Sequence, residues 1–377
     1  MIAYGLTIFT GAFLLFQVQP LIGKYLLPWF GGAPGVWTTC LLFFQVVLLG
    51  GYAYAHLSSR WLKPRTQVLV HLVLLGVALL LLPVTPGDAW KPHSAANPTL
   101  RLLALLAVSV GLPYFVLSAT APLLQHWFSR SLPGASPFRL YALSNAGSLL
   151  ALLSYPTVVE TWWTRSLQAT VWGVGLGAYA LGCAWCGLRV WHSRPGVPAD
   201  DFGTPLAAVR PRPGQKLLWL VWPACASVLL LAVTNKICQD VAVMAFLWIL
   251  PLALYLLSFI ICFDRPGWYR RGGFGLALLG ALALMSWMLA DRVVLSVPVQ
   301  ILVYSAGLFV CCMVCHGEVY RLKPDPAYLT SFYLMIAAGG ALGGILVAVI
   351  APAVFSDYFE LHWGILLCGG LFLGICV

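Results

Sequence analysis

Charge is what this sequence lacks most. Asp, Glu, Lys and Arg together supply 8% of its 377 residues, while hydrophobic residues supply 61%. A soluble domain keeps roughly a quarter of its residues charged to hold a hydrated shell, so a soluble globular reading is excluded. Alternation is lacking too. The apolar runs are long and continuous rather than period-two, which excludes a transmembrane β-barrel. Acid is scarcer than base, 11 residues against 21, but the bases are dispersed among short connections, and nucleic-acid binding is not implied. The eleven cysteines lie almost wholly within apolar runs and read as packed free thiols, not as a disulfide framework. Cys183 and Cys186 form a CxxC inside one such run, where packing explains it better than metal or redox chemistry. No HExxH, nucleophile elbow or acidic pair at catalytic spacing occurs, and His71, His126 and His316 are scattered singly, so haem is not expected. No catalytic residue, cofactor or metal is assigned, and the chain does not read as an enzyme.

What is there is a series of hydrophobic stretches of membrane-crossing length. At about 20 residues per crossing, about twelve spans fit, near 2–29, 35–56, 67–84, 99–127, 138–156, 166–190, 216–238, 241–263, 272–290, 293–315, 327–352 and 361–377. The first and fourth are long enough to tilt or break. The expected fold is therefore all-α: a polytopic membrane protein of about twelve transmembrane helices in two pseudo-symmetric six-helix halves, with the lipid bilayer as its first partner. With a cytoplasmic amino terminus, the inner connections hold Arg60, Lys63, Arg65, Arg130, Arg139, Arg189, Arg194, Arg210, Arg212, Lys216, Arg265, Arg270, Arg271, Arg321 and Lys323. The outer ones keep few bases, among them Lys91, Arg101, Arg165 and Lys236, offset by acids such as Glu160, Asp240 and Glu360. This is the bias the positive-inside rule demands. Both termini are expected in the cytoplasm, in a bacterial inner (plasma) membrane.

The longest polar stretch runs from about His192 to Gln215 and divides the spans six and six. The expected domains are residues 1–191, a cytoplasmic linker 192–215, and residues 216–377. Tyr141, Gly147, Ser148 and Leu150 on the fifth span recur as Tyr333, Gly339, Gly340 and Leu342 on the eleventh, each pair 192 positions apart. Each series ends at a proline, Pro156 or Pro352. Lys24 and Lys236 mark the outer ends of the first and seventh spans. Gly339 with Gly343, and Gly340 with Gly344, offer small-xxx-small faces for close helix packing.

Four stretches, FQVQPLIGKYLLP (16–28), YALSNAGSLL (141–150), TNKICQDVAVMAFLWILP (234–251) and CHGE (315–318) followed by 329–340, resemble the membrane half of the fused major-facilitator/spermidine-synthase-like proteins. The resemblance covers nearly the whole chain. It implies a major-facilitator-like bundle, and in many members a cytoplasmic aminopropyltransferase-like domain follows. This chain has no soluble stretch long enough for such a domain, so polyamine synthesis by it alone is not expected.

Ionisable and amide residues within spans are costly and tend to be functional. One outer group comprises Gln17, Gln19 and Lys24 on the first span with Asn235, Lys236, Gln239 and Asp240 on the seventh. Gln17 and Lys24 share a helix face around Pro20, a kink candidate. Asp240 bridging Lys24 or Lys236 would close an outer gate; alternatively the lysines snorkel to headgroups. An inner group comprises Gln125 and His126, Tyr141, Ser144 and Asn145, then His316, Glu318 and Tyr333. A Glu318–His316 or Glu318–His126 pair would carry a proton; solvated polar helix ends are the alternative. Two functions follow. The chain is a secondary carrier of a small polar solute, polyamine-related or anionic, or else a non-transporting membrane subunit that anchors a partner protein at its cytoplasmic face.

Overall fold

A computed structural model describes residues 2–31, 34–87, 90–91, 98–131, 137–192, 210–240, 247–265, 267–290, 295–355 and 359–376. Most of the expected linker lies outside them. Twelve apolar helical segments occur among the described residues, nine of 18 residues or more and three shorter. In chain order they are α1 (Ile2–Phe30), α2 (Pro34–Trp61), α3 (Pro64–Leu80), α4 (Leu100–Ser131), α5 (Phe138–Trp162) and α6 (Arg165–His192). Then follow α7 (Pro213–Asp240), α8 (Ile249–Asp264), α9 (Arg271–Met288), α10 (Val297–Arg321), α11 (Pro326–Val354) and α12 (Glu360–Cys376). Many large apolar side chains remain exposed, Leu6, Val174, Leu181, Leu276 and Leu366 among them. In water that surface would drive aggregation; against lipid it is what a spanning helix requires.

Two expected helix ends fall elsewhere. Pro156 and Pro352 do not stop their helices, which run on to Trp162 and Val354. The reason is a π-helical turn in each, Tyr155–Val159 in α5 and Leu346–Ile350 in α11. Proline has no N–H to give and its ring collides with the carbonyl four residues back. A wider π turn accommodates that break without ending the helix. The long α4 breaks in the same manner, at Ala107–Gly111 ahead of Pro113. Pro20, by contrast, is carried within an unbroken α1.

Contacts divide the chain into two compact units. Unit 1 comprises residues 1–211 and 324–334, so it takes in the first turns of α11, and unit 2 comprises residues 212–323 and 335–377. Within unit 1, α1 is the central element. A Cβ on Gly147 would come 2.6 Å from the Phe9 carbonyl oxygen, so α5 lies directly on the α1 backbone. From α6, the Trp172 indole donates to the Leu14 carbonyl at 2.8 Å. Within unit 2, α11 lies as directly on the α7 backbone. A Cβ on Gly339 would come 2.3 Å from Leu220 O, and one on Gly343 2.6 Å from Ala224 O. Gly340 would meet nothing within 4 Å, so of the two glycine faces expected on α11 the Gly339–Gly343 face makes the close approach. Phe9 and Leu220 are 211 positions apart, and they receive glycines that the sequence repeat had already matched. The α5–α1 and α11–α7 approaches therefore repeat in geometry as well as in sequence.

Candidate functional site

The outer candidates are built from the last turns of α1 and α7. Gln17 is buried, and its Nε2 donates to Ala151 O and Ser154 Oγ on α5, both at 3.2 Å. Seven residues on, Lys24 Nζ lies 2.6 Å from Glu160 Oε2, just past the α5 π turn. Both side chains thus face α5, as their heptad spacing on one helix face predicts. Gln19 points away from that face, to the Tyr114 hydroxyl on α4 at 3.3 Å. The partner of Lys24 among the described residues is Glu160. The side chains of Gln239 and Asp240 lie outside the described residues.

In unit 2, Asn235 Nδ2 donates to Glu360 Oε1 at 3.4 Å, and Glu360 is buried at 7% exposure. Lys24 and Asn235 are 211 positions apart, the same interval that separates Phe9 from Leu220. The residue in the place of Lys24 is therefore Asn235; Lys236, half-buried, is its neighbour. This corrects the expected Lys24–Lys236 match by one residue. Glu160 and Glu360 went unassigned as partners, although each is an acid at an expected outer end of a span. Proximity between helix ends that are distant in sequence was the missing information.

The inner candidates separate into two groups. In unit 1, Tyr141 and Tyr333 stack with ring centroids 4.7 Å apart and planes at 19°. The Tyr333 hydroxyl donates to Gln125 Oε1 at 2.8 Å, and Phe332 meets Phe138 edge-on. His56 Nδ1 and Thr330 Oγ1 are 3.0 Å apart. Asn145 donates to Tyr141 O within its own helix. The buried His126 Nε2 has no hydrogen-bond partner among the described residues.

In unit 2, His316 and Glu318 take separate partners. The fully buried His316 has Nδ1 2.8 Å from Ser258 Oγ and its ring stacked on Phe259. Glu318, 2% exposed, accepts from the Tyr269 hydroxyl and Arg271 Nε at 2.8 Å each, and from Arg271 Nη2. Two guanidinium N–H groups on two carboxylate oxygens make the bidentate fork that matches the planar geometries of both. Tyr269 lies in the connection before α9, where burial first, and then its bond to Glu318, push the phenol well above its ordinary range. It remains a donor throughout the physiological range. The expected Glu318–histidine proton pair is thus replaced by a clamp of Glu318, Arg271 and Tyr269. Residues two apart on a helix point to different sides, which is why His316 and Glu318 diverge. Arg271 had been counted only for topology, and Tyr269 carried no sequence signal.

Solved structures of the same architecture exist. A peptide transporter of the POT type matches with a TM-score of 0.60 at 16% identity, over 100% of this chain and 94% of that one. XylE, the proton:xylose symporter from E. coli, matches with a TM-score of 0.54 at 13% identity, over 99% and 93%. The human organic anion transporter MFSD10 matches with a TM-score of 0.57 at 14% identity, over 98% and 97%. No family model matches the chain, and no curated protein does. At these identities the likeness concerns the fold. The chain is an integral membrane protein whose fold is like that of these transporters, with twelve apolar helical segments among its described residues.

Proposed function

We propose that this protein is a secondary carrier that moves a small polar solute by alternating access. One observation carries the reading: the first helix of each six-helix set holds a polar side chain against an acid that flanks the last helix of its own set. These are Lys24 with Glu160 and Asn235 with Glu360. Such contacts cost desolvation and side-chain freedom in a membrane domain, and a fold held by packing alone has no need to repeat them. Helix breaks at matching places in α5 and α11 point the same way, because discontinuous helices in corresponding positions are a mark of transporter halves.

In this reading Gln17, Gln19, Lys24, Asn235, Lys236, Gln239 and Asp240 form the outer site or gate. Tyr141, Tyr333, Asn145 and His126, with Gln125, belong to an inner closure, and His316 and Glu318 support the inner end of unit 2. Residues 1–191 and 216–377 act as the two moving halves around the cytoplasmic linker 192–215. Lys24 is already neutralised by Glu160, whereas Glu360 is held by a neutral amide. That difference favours a cationic solute, of which a polyamine is the class that the resemblance to the spermidine-synthase-like proteins suggests, over an anionic one.

Single cysteines at 17, 24, 141, 235 and 333 test this, in a background that keeps only buried native thiols. A membrane-impermeant maleimide is applied from each side, with and without spermidine. Labelling of 24 and 235 from outside, protected at least threefold by spermidine, is the expected result. Sites unreactive from both sides under every condition would overturn the carrier in favour of an anchoring subunit.

A further inference from the structure

Unit 2 holds a cluster of thiols that the carrier reading does not use. Cys225 on α7, Cys315 on α10 and Cys368 on α12 place their Sγ atoms within 4.8 Å of one another, and none has measurable exposure. Three sulfurs from three helices thus meet in one place. Burial of a single cysteine is ordinary, since the residue packs as a small apolar group. Convergence of three at ligand spacing is not explained that way. The other cysteines show the contrast. Cys186 lies beside Thr7 Oγ1, and Cys262 faces Met313 O. Each of those thiols has a local partner of a different kind.

The spacing suits a metal. Metal–thiolate bonds are about 2.3 Å, so three sulfurs around one ion stand about 4 Å apart. A triangle no wider than 4.8 Å closes to that size if each Sγ moves inward by about half an ångström. The donors are all sulfur, which excludes the hard cations that need oxygen and selects soft ones. A three-sulfur set also lacks the fourth ligand of a closed tetrahedral zinc site, and a low coordination number is what Cu(I) accepts.

We infer that Cys225, Cys315 and Cys368 form a buried thiolate site for a soft monovalent cation, with Cu(I) the ion it fits. Occupancy would cross-link α7, α10 and α12 and stabilise unit 2 by mass action.

The full chain, purified in detergent and reduced with a phosphine, is titrated with Cu(I) held by bicinchoninate. We expect one Cu(I) to be withdrawn per chain, with an X-ray absorption spectrum showing only sulfur neighbours, three in number. C225S, C315S and C368S should each weaken retention at least tenfold, while C40S, a buried cysteine of unit 1, should leave it unchanged. Failure of the wild-type chain to retain Cu(I), or equal retention by C368S, would overturn the site. If the serine variants aggregate, the wild-type spectrum decides: oxygen or nitrogen neighbours, or two sulfurs alone, count against the triad. Retention of Zn(II) with four sulfurs and no retention of Cu(I) would overturn the assignment to a monovalent ion.

Discussion

The first helix of each six-helix set takes a glycine of another helix against its backbone in the same way, and then the two sets part. Phe9 and Leu220 receive Gly147 and Gly339 against their carbonyl oxygens. About four turns further on, α1 presents Lys24 to Glu160 and α7 presents Asn235 to Glu360. The backbone approach is shared, and the charge is not. A duplicated fold needs its helices at fixed distances, so the glycines are held by sterics. The polar ends are free of that demand, and it is there that the halves differ. Unit 2 differs again in its interior, where it holds the sulfur cluster and the Glu318–Arg271–Tyr269 clamp.

The largest test of the shared part is steric. Gly147→Leu and Gly339→Leu should each destabilise the protein by about 3 kcal/mol, because the new side chain meets backbone that cannot yield. Gly340→Ala, which points to open space, should change stability by less than about 0.5 kcal/mol. Thermal unfolding in detergent reads all three, and sensitivity at only one of the first two would break the equivalence of the halves. Next comes the clamp. Arg271→Ala leaves Glu318 buried with a tyrosine alone, and should cost about 2 kcal/mol, less than a fully buried pair because the arginine is partly exposed. Ser258→Ala removes the partner of His316 Nδ1 and should cost about 1 kcal/mol. The smallest effect concerns the divergent ends. Lys24→Met should change stability by less than about 1 kcal/mol, and Asn235→Lys should recreate the unit 1 ion pair at Glu360. If the carrier reading holds, Asn235→Lys lowers spermidine protection at the outer positions far more than it alters the melting temperature.

The number of helices, and the glycine positions at which α5 and α11 press on a neighbour, were legible in the sequence, since lipid and close packing each leave a strong one-dimensional pattern. The partners were less so. Lys24 was picked out as an expensive charge, but its pairing with Glu160 depends on the distance between the ends of two helices more than 130 positions apart in sequence. Pro156 and Pro352 read as stops because proline normally ends a helix; the π turns that carry the chain past them depend on tertiary packing. His316 and Glu318 lie close in sequence and seemed a pair, yet helical geometry sends them to Ser258 and Arg271. The cysteines read as inert packing, and their convergence became visible only when three helices were assembled.

The π turn of α5 ends at Val159, immediately before Glu160. An α-helix advances about 100° per residue, so the one surplus residue in that turn sets the phase of everything beyond it. Deleting a single residue from 157–159 removes that surplus and lets the segment rewind as ordinary α-helix with Glu160 still on the side where Lys24 lies, whereas rewinding the full-length turn as α-helix would swing Glu160 away by about 100°. The ion pair therefore depends on the wide turn as much as on the two charges. Glu360 has no such dependence, because it heads its own helix after α11 has ended. A single-residue deletion within the α5 turn should thus leave the Lys24–Glu160 pair in place.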